Sequence, residues 1–181
     1  MTRRLALLLA LLCLAACPGD AREGAEAGTV PVRVAGLVLD EAADSPVVIL
    51  EEVAGKRRLP IWIGLSEAHS IAAVLESHPA PRPNAHDLSK RLIEGMGGRV
   101  ERVVVTALRD GVYFARIDLA QNGRTIAVDA RPSDAIAIAL RLEAPLFVVE
   151  ALFETNGIDA KPSGREIRGR AAQRQVEAFH L

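Results

Sequence analysis

Part of the chain is written twice. Ser66-Glu67-Ala68-His69-Ser70-Ile71-Ala72-Ala73-Val74-Leu75-Glu76 aligns with Ser133-Asp134-Ala135-Ile136-Ala137-Ile138-Ala139-Leu140-Arg141-Leu142-Glu143, with Ser, Ala, Ile, Ala, Leu and Glu in register. Residue 66 thus meets residue 133, and the same offset carries backwards along the chain. Arg57–Ile63 falls on Arg124–Ala130, Val47–Val53 on Phe114–Ala120, and Val32–Leu39 on Arg99–Thr106. Self-similarity at a fixed period requires each copy to supply the same structural elements. The fold is therefore expected to be built from two equivalent halves.

Alternating and β-branched residues predict the strands. In the first half these are Val32–Leu39, Val47–Val53 opened by Pro46, and Leu59–Ile63. In the second they are Val100–Leu108, Val112–Leu119 and Thr125–Ala130. Asp110-Gly111 and Asn122-Gly123 are hairpin turns, because both central positions of such a turn need positive φ. A helix follows each set, with Ser66 and Ser133 placed as N-caps and Glu67 and Asp134 in the first turn, where the helix dipole favours negative charge. The expected fold class is α+β: an internal duplication of two β-β-β-α units with an inserted loop and helix between them. The insert is His78–Gly97, an extended loop followed by a helix from Asp87, its expected cap, to Met96. A last strand is expected over Pro145–Glu150. The domain then spans residues 30–154, and a polar, basic tail covers residues 155–181, with a weak helix near 171–179.

The N-terminus reads as an address. Arg3 and Arg4 precede an unbroken apolar run, Leu5–Ala16, too short for a spanning helix of about 20 residues but of secretory length. Leu14-Ala15-Ala16-Cys17 resembles the lipobox of bacterial lipoproteins, which implies cleavage after residue 16 and lipidation of Cys17. The expected location is the bacterial envelope, lipid-anchored at the outer membrane, with residues 17–29 as a flexible tether. Two cysteines exclude a disulfide scaffold. A formal charge of −1 gives no whole-protein pull toward nucleic acid, and 3% aromatic residues leave few stacking platforms.

Three clusters carry possible chemistry. Arg82-Pro83-Asn84-Ala85-His86-Asp87 is a stiff loop entering a helix, and Asp129-Ala130-Arg131-Pro132-Ser133-Asp134 is a strand entering a helix. Trp62-Ile63-Gly64-Leu65-Ser66-Glu67 is the repeat mate of the second. Strand-to-helix junctions gather backbone N–H groups suited to anions, and Arg131 has the fork to hold a phosphate bidentately. Each cluster has a plainer reading. His86 and Asp87 could simply fix a loop, Ser133 and Asp134 start a helix, and Asp129 pair locally with Arg131. Trp62 is expected in the core or an interface rather than as a stacking surface. No His-Glu-x-x-His or cysteine-pair metal signature is present. A divalent ion such as Mg²⁺ remains compatible, since it needs only one or two carboxylates besides substrate oxygens.

These motifs resemble the bifunctional nuclease family. The resemblance is carried by Leu59-Pro60-Ile61-Trp62-Ile63-Gly64, Glu67-Ala68, Arg82-Pro83, His86-Asp87-Leu88 and Asp129–Ala137, and it extends over Val32–Phe153. It implies an α+β domain that tends to dimerise and a nuclease acting on DNA and RNA. On that reading His86, Asp129 and Asp134 are the catalytic candidates. Arg82, Arg131 and Ser133 bind the substrate phosphate, and Glu67 and Asp87 are candidate metal ligands. The alternative is a non-catalytic, envelope-anchored binding or assembly module on the same fold.

Overall fold

The computed structural model describes residues 28–78 and 80–159. The leader, Cys17, most of the expected tether and the helix expected near 171–179 lie outside the described residues. The elements run β1 (Thr29–Asp40), β2 (Ser45–Glu52), β3 (Arg57–Trp62), α1 (Leu65–Leu75), α2 (Ala85–Gly95), β4 (Arg99–Arg109), β5 (Val112–Gln121), β6 (Arg124–Ala130), α3 (Pro132–Leu142), β7 (Leu146–Val149), α4 (Glu150–Asn156) and β8 (Ile158–Asp159). The class is α+β, and β-β-β-α occurs twice in this order. β2, β3 and α1 begin at 45, 57 and 65, while β5, β6 and α3 begin at 112, 124 and 132, an offset of 67 each time.

The strands form one sheet in the order β6-β5-β4-β7-β1-β2-β3-β8. Each trio is an antiparallel meander. The turns at Asp110-Gly111 and Asn122-Gly123 have φ of 50° and 77°, and of 50° and 73°, so these pairs reverse the chain as their residue types require. β7 fills the middle, antiparallel to β1 and parallel to β4. Its four residues join the two trios, and Phe147 and Val148 are wholly buried.

α1 and α3 bury their apolar stripes against one face of the sheet. Ile71 and Ile136 are fully buried among Val48, Leu50, Leu59, Val103 and Val105. Ala68, Ala135 and Ala137 are also fully buried. Burying one such large aliphatic side chain contributes about 1.5–3 kcal/mol. α2 is held differently, since none of its residues is buried. Ile93 touches the core, and the rest of its attachment is polar.

Several expected details change. Ser66 and Ser133 are not N-caps: Gly64 and Arg131 occupy those positions, and neither uses its side chain. Pro132 takes the first turn of α3, where its missing N–H costs nothing. Asp87 does not cap α2. Asn84 does, accepting N–H bonds from His86 and Asp87, while the Asp87 carboxylate accepts the N–H of Asn84 in a closed capping box. Glu67 and Asp134 do lie in first turns. β1 begins at Thr29, inside the expected tether, and α4 and β8 occupy residues expected as the end of the domain and a loose tail. Leu152 and Phe153 are the reason, because they bury into the core cluster. No helix among the described residues is long and apolar enough to cross a membrane.

The offset also relates two buried acids. Glu51 pairs with Arg33 and Arg58, and Asp118 with Arg102 and Arg116. Each acid sits in the middle strand of its trio, paired across to an arginine of the neighbouring strand. The two guanidiniums offset the cost of burying each carboxylate.

Candidate functional site

The N-terminal turns of α1, α2 and α3 meet through one continuous polar network. Arg131 is its centre. Its Nε donates to Asp134 Oδ2 at 2.7 Å, and its Nη2 donates to Asp134 Oδ1 at 2.9 Å and Glu67 Oε1 at 2.7 Å. One guanidinium therefore clamps the repeat-equivalent acids of α1 and α3. These carboxylates raise the Arg131 pKa, the Asp134 hydrogen bond most, so the fork stays charged. Its Nη1 makes none of these bonds and is the edge left open. The Arg131 side chain is 66% exposed, whereas Glu67 and Asp134 are 16% and 28% exposed.

Gly64 allows this closure. A Cβ there would lie 2.3 Å from Glu67 Oε2, so any side chain would push the carboxylate away.

His86 continues the network from α2. Its Nε2 lies 3.2 Å from Asp134 Oδ1 and its Nδ1 lies 2.8 Å from Ser70 Oγ. Proton bookkeeping fixes the roles. Ser70 Oγ already accepts from Asn84 Nδ2 and Arg141 Nη2, each at 2.9 Å, which uses both lone pairs. Its O–H must then donate to His86 Nδ1, which leaves the proton on Nε2 to be donated to Asp134. Burial raises the Asp134 pKa, but the bonds from Arg131 and His86 outweigh that and hold the carboxyl below its ordinary value. Arg141 closes the far end. Its Nε donates to Asp87 Oδ1 at 2.6 Å and its Nη1 to the Ala137 carbonyl at 3.0 Å.

The structure thus unites Glu67, Arg131, Asp134 and His86, and joins Asp87 to them through Arg141 and Ser70. Asp129 is exposed at the end of β6, and its expected ion pair with Arg131 is replaced by Asp134 and Glu67. Arg82 is exposed in the loop before α2, outside this network. Ser133 is buried beside Arg131. Ser70 and Arg141 escaped the sequence reading as site members, and Asn84 stood in one of its clusters without a role. Their signal lay in the repeat: the mates of Ser70 and Arg141 are Ala137 and Val74, so a polar residue stands where the other copy is apolar.

A cleft of about 350 Å³ opens beside Arg131, lined also by Trp62, Gly64, Tyr113 and Ser133. β3 and β5 are far apart in the sheet order, yet residues at the ends of both line this one cleft. Trp62 is not a core residue: it is 52% exposed. The donors for a divalent ion do not fit a two-carboxylate pair of Glu67 and Asp87. Each faces an arginine at an opposite end of the network. Among the described residues, no three His, Cys, Asp or Glu side chains gather as a ligand set.

Fold and site define a small α+β domain with an arginine-clamped cleft at two strand-to-helix junctions. The sequence profile of the bifunctional nuclease domain matches residues 48–161, and the chain belongs to that family. An uncharacterized protein of Mycobacterium tuberculosis (strain ATCC 25618 / H37Rv) is 41% identical over 127 residues, covering 70% of this chain and 76% of that protein. Bifunctional nuclease 1 of Oryza sativa subsp. indica is 32% identical over 122 residues, covering 66% of this chain and 37% of that protein. Bifunctional nuclease 1 of Arabidopsis thaliana is 29% identical over 148 residues, covering 80% and 46%. The match therefore spans less than half of these plant relatives.

Proposed function

We propose that the domain hydrolyses phosphodiester bonds in DNA and RNA without sequence preference, at the cleft beside Arg131. The observation that carries this reading is a fixed, charged guanidinium with one free edge, at the meeting point of helix N-termini, in a bifunctional nuclease domain. Hydrolysis adds water to phosphorus and expels an alkoxide, so charge builds on the phosphoryl oxygens. The Nη1 edge of Arg131 faces that charge, and Ser133 and Arg82 add contacts to the substrate phosphates. Asp129, exposed two residues before Arg131, takes the proton of the attacking water. His86 acts as a positioning residue: it orients Asp134, which in turn holds the fork. Glu67 and Asp87 act through their arginines.

The test is cleavage of plasmid DNA and of RNA by the full chain, with Mg²⁺ or with EDTA, beside His86→Ala and Asp129→Ala. Cleavage by the wild type that both substitutions reduce tenfold or more supports the site. Full cleavage by both variants refutes the assignment. The second reading, a non-catalytic binding module, is favoured by one observation: Arg131 is already paired with two carboxylates. Absence of cleavage with either additive would select it.

The same proposal places the protein in the envelope, anchored through Cys17, as a homodimer. β6 is an edge strand with Ile126 and Val128 exposed at 45% and 37%. An uncovered apolar edge is a ready pairing surface. Two copies of β6 running antiparallel about Ala127 put each Ile126 opposite a Val128 on one face. Light scattering of the chain after size exclusion is expected to give a dimer mass, and Ile126→Lys with Val128→Lys a monomer. A wild-type monomer at micromolar concentration would rule this interface out.

A further inference from the structure

The chain has one tryptophan and one tyrosine, and both line the cleft beside Arg131. Trp62 is pinned at its polar edge and is half exposed. Its Nε1 donates to Asp40 Oδ2 at 2.9 Å. Asp40 is itself fixed, because its other oxygen accepts the N–H groups of Ala42 and Ala43. The Trp62 bond, ahead of these backbone bonds, holds the Asp40 carboxyl below its ordinary value and keeps it a charged acceptor. A large aromatic ring left half exposed gains little for folding, yet the indole is held in one orientation by a built anchor. Tyr113 also lines the cleft, half buried, with its phenol pushed up by that burial. The cleft is at the small end of ligand-binding size.

We infer that this cleft is a subsite for one unpaired nucleotide, its base stacked on Trp62 and its phosphate on the free edge of Arg131. This rests on the reading of the domain as a nucleic-acid hydrolase and goes beyond it by naming the form of substrate. A planar π surface next to a fixed cation matches a nucleotide, which is a planar ring joined to an anion. Bases in a duplex have both faces covered by neighbours, so only an unstacked base reaches Trp62. The domain therefore favours single strands, frayed ends and loops over continuous duplex. It does so in a chain of net charge −1, because stacking replaces part of the phosphate attraction that such a charge cannot supply.

The experiment uses the full chain with phosphorothioate-linked oligonucleotides, which resist hydrolysis, so that cleavage does not enter the readout. The probes are fluorescein-labelled oligothymidylate of twelve nucleotides and a duplex of the same length, followed by anisotropy. Intrinsic fluorescence is read in parallel with unlabelled oligothymidylate, and it reports Trp62 alone. The expected result is saturable quenching by the single strand and tighter binding of single strand than of duplex. Trp62→Ala weakens the single-strand complex about tenfold and leaves duplex binding unchanged, while Trp62→Phe stays within about threefold of the wild type by retaining a stacking face. Single-strand binding without quenching, and equal in Trp62→Ala, overturns the subsite. If Arg131→Ala still weakens that binding, the hydrolase reading stands without it. No binding of either probe by the wild type, together with no cleavage, overturns both.

Discussion

Arg131→Ala is expected to lower the rate of phosphodiester cleavage about 100- to 1000-fold, the usual cost of losing one fixed donor to developing charge. Two effects act together. The fork facing the phosphoryl oxygens disappears, and Glu67 and Asp134 lose the cation between them. Two uncompensated carboxylates then border the cleft and repel the substrate's phosphates. Arg131→Lys separates these effects. It restores a positive charge but not the bidentate grip on Asp134, so it recovers substrate binding more than turnover. The measurement is kcat and KM on a short fluorogenic oligonucleotide, with circular dichroism to show the variants folded. The side chain is two-thirds exposed, so the fold should survive its removal. Wild-type turnover in a folded Arg131→Ala protein would move the reaction elsewhere.

Arg141→Ala should instead act on stability, lowering the melting temperature by about 10 °C. The Arg141 side chain is only 6% exposed and ties α3 to Asp87 of α2 and Ser70 of α1. Removing one partner of a buried pair costs about 3–5 kcal/mol. Asp87 is one-third exposed, so water softens that to about 2–4 kcal/mol. For a domain of this size each kcal/mol shifts the melting temperature by roughly 3–4 °C. The pH dependence gives an internal check. The Arg141 bond, against some burial, holds the Asp87 carboxyl below its ordinary value. A lowered carboxyl stabilises the fold fully above its unfolded value of about 3.9 and loses that contribution as pH falls through the folded value. The difference between wild type and variant is therefore wide at pH 7 and narrows below about pH 4. A difference that stays constant to pH 3 would show that Arg141 acts by packing alone.

The repeat made most of the fold legible in the sequence. Alternation gave six strands, and the shared Ser-acid-Ala pattern gave two helices, each to within a few residues. β7 was also visible as a short apolar run, but its place was not. Nothing in Leu146-Phe147-Val148-Val149 says that it lies between β1 and β4, because sheet order is decided by which edges remain after the local hairpins form. α4 was missed because Glu150–Asn156 is too short for a helical period to show. The helix caps were misplaced for a related reason. Ser66 and Ser133 are good capping residues, yet chain direction at Gly64 and Pro132 sets the helix start. At the site, Glu67, Arg131 and Asp134 stood out as junction residues. Arg141 and Ser70 did not, since their partners lie on other helices far along the chain. Trp62 was read as a core or interface residue from its type alone, and its exposure and its bond to Asp40 exclude the core.

The position of β7 has a consequence for how the protein is made. Each strand trio and its helix can assemble from neighbouring residues as soon as they leave the ribosome. The middle of the sheet cannot, because residues 146–149 arrive after both trios. Until then β1 and β4 each carry an unsatisfied edge of backbone donors and acceptors, the surface on which chains aggregate. Synthesis halted before residue 146 leaves two half-domains with open seams, and a premature stop there yields a substrate for proteases and chaperones rather than a weakened domain. The four-residue strand acts as a late clasp, so quality control of this protein depends on whether residues 146–149 have emerged.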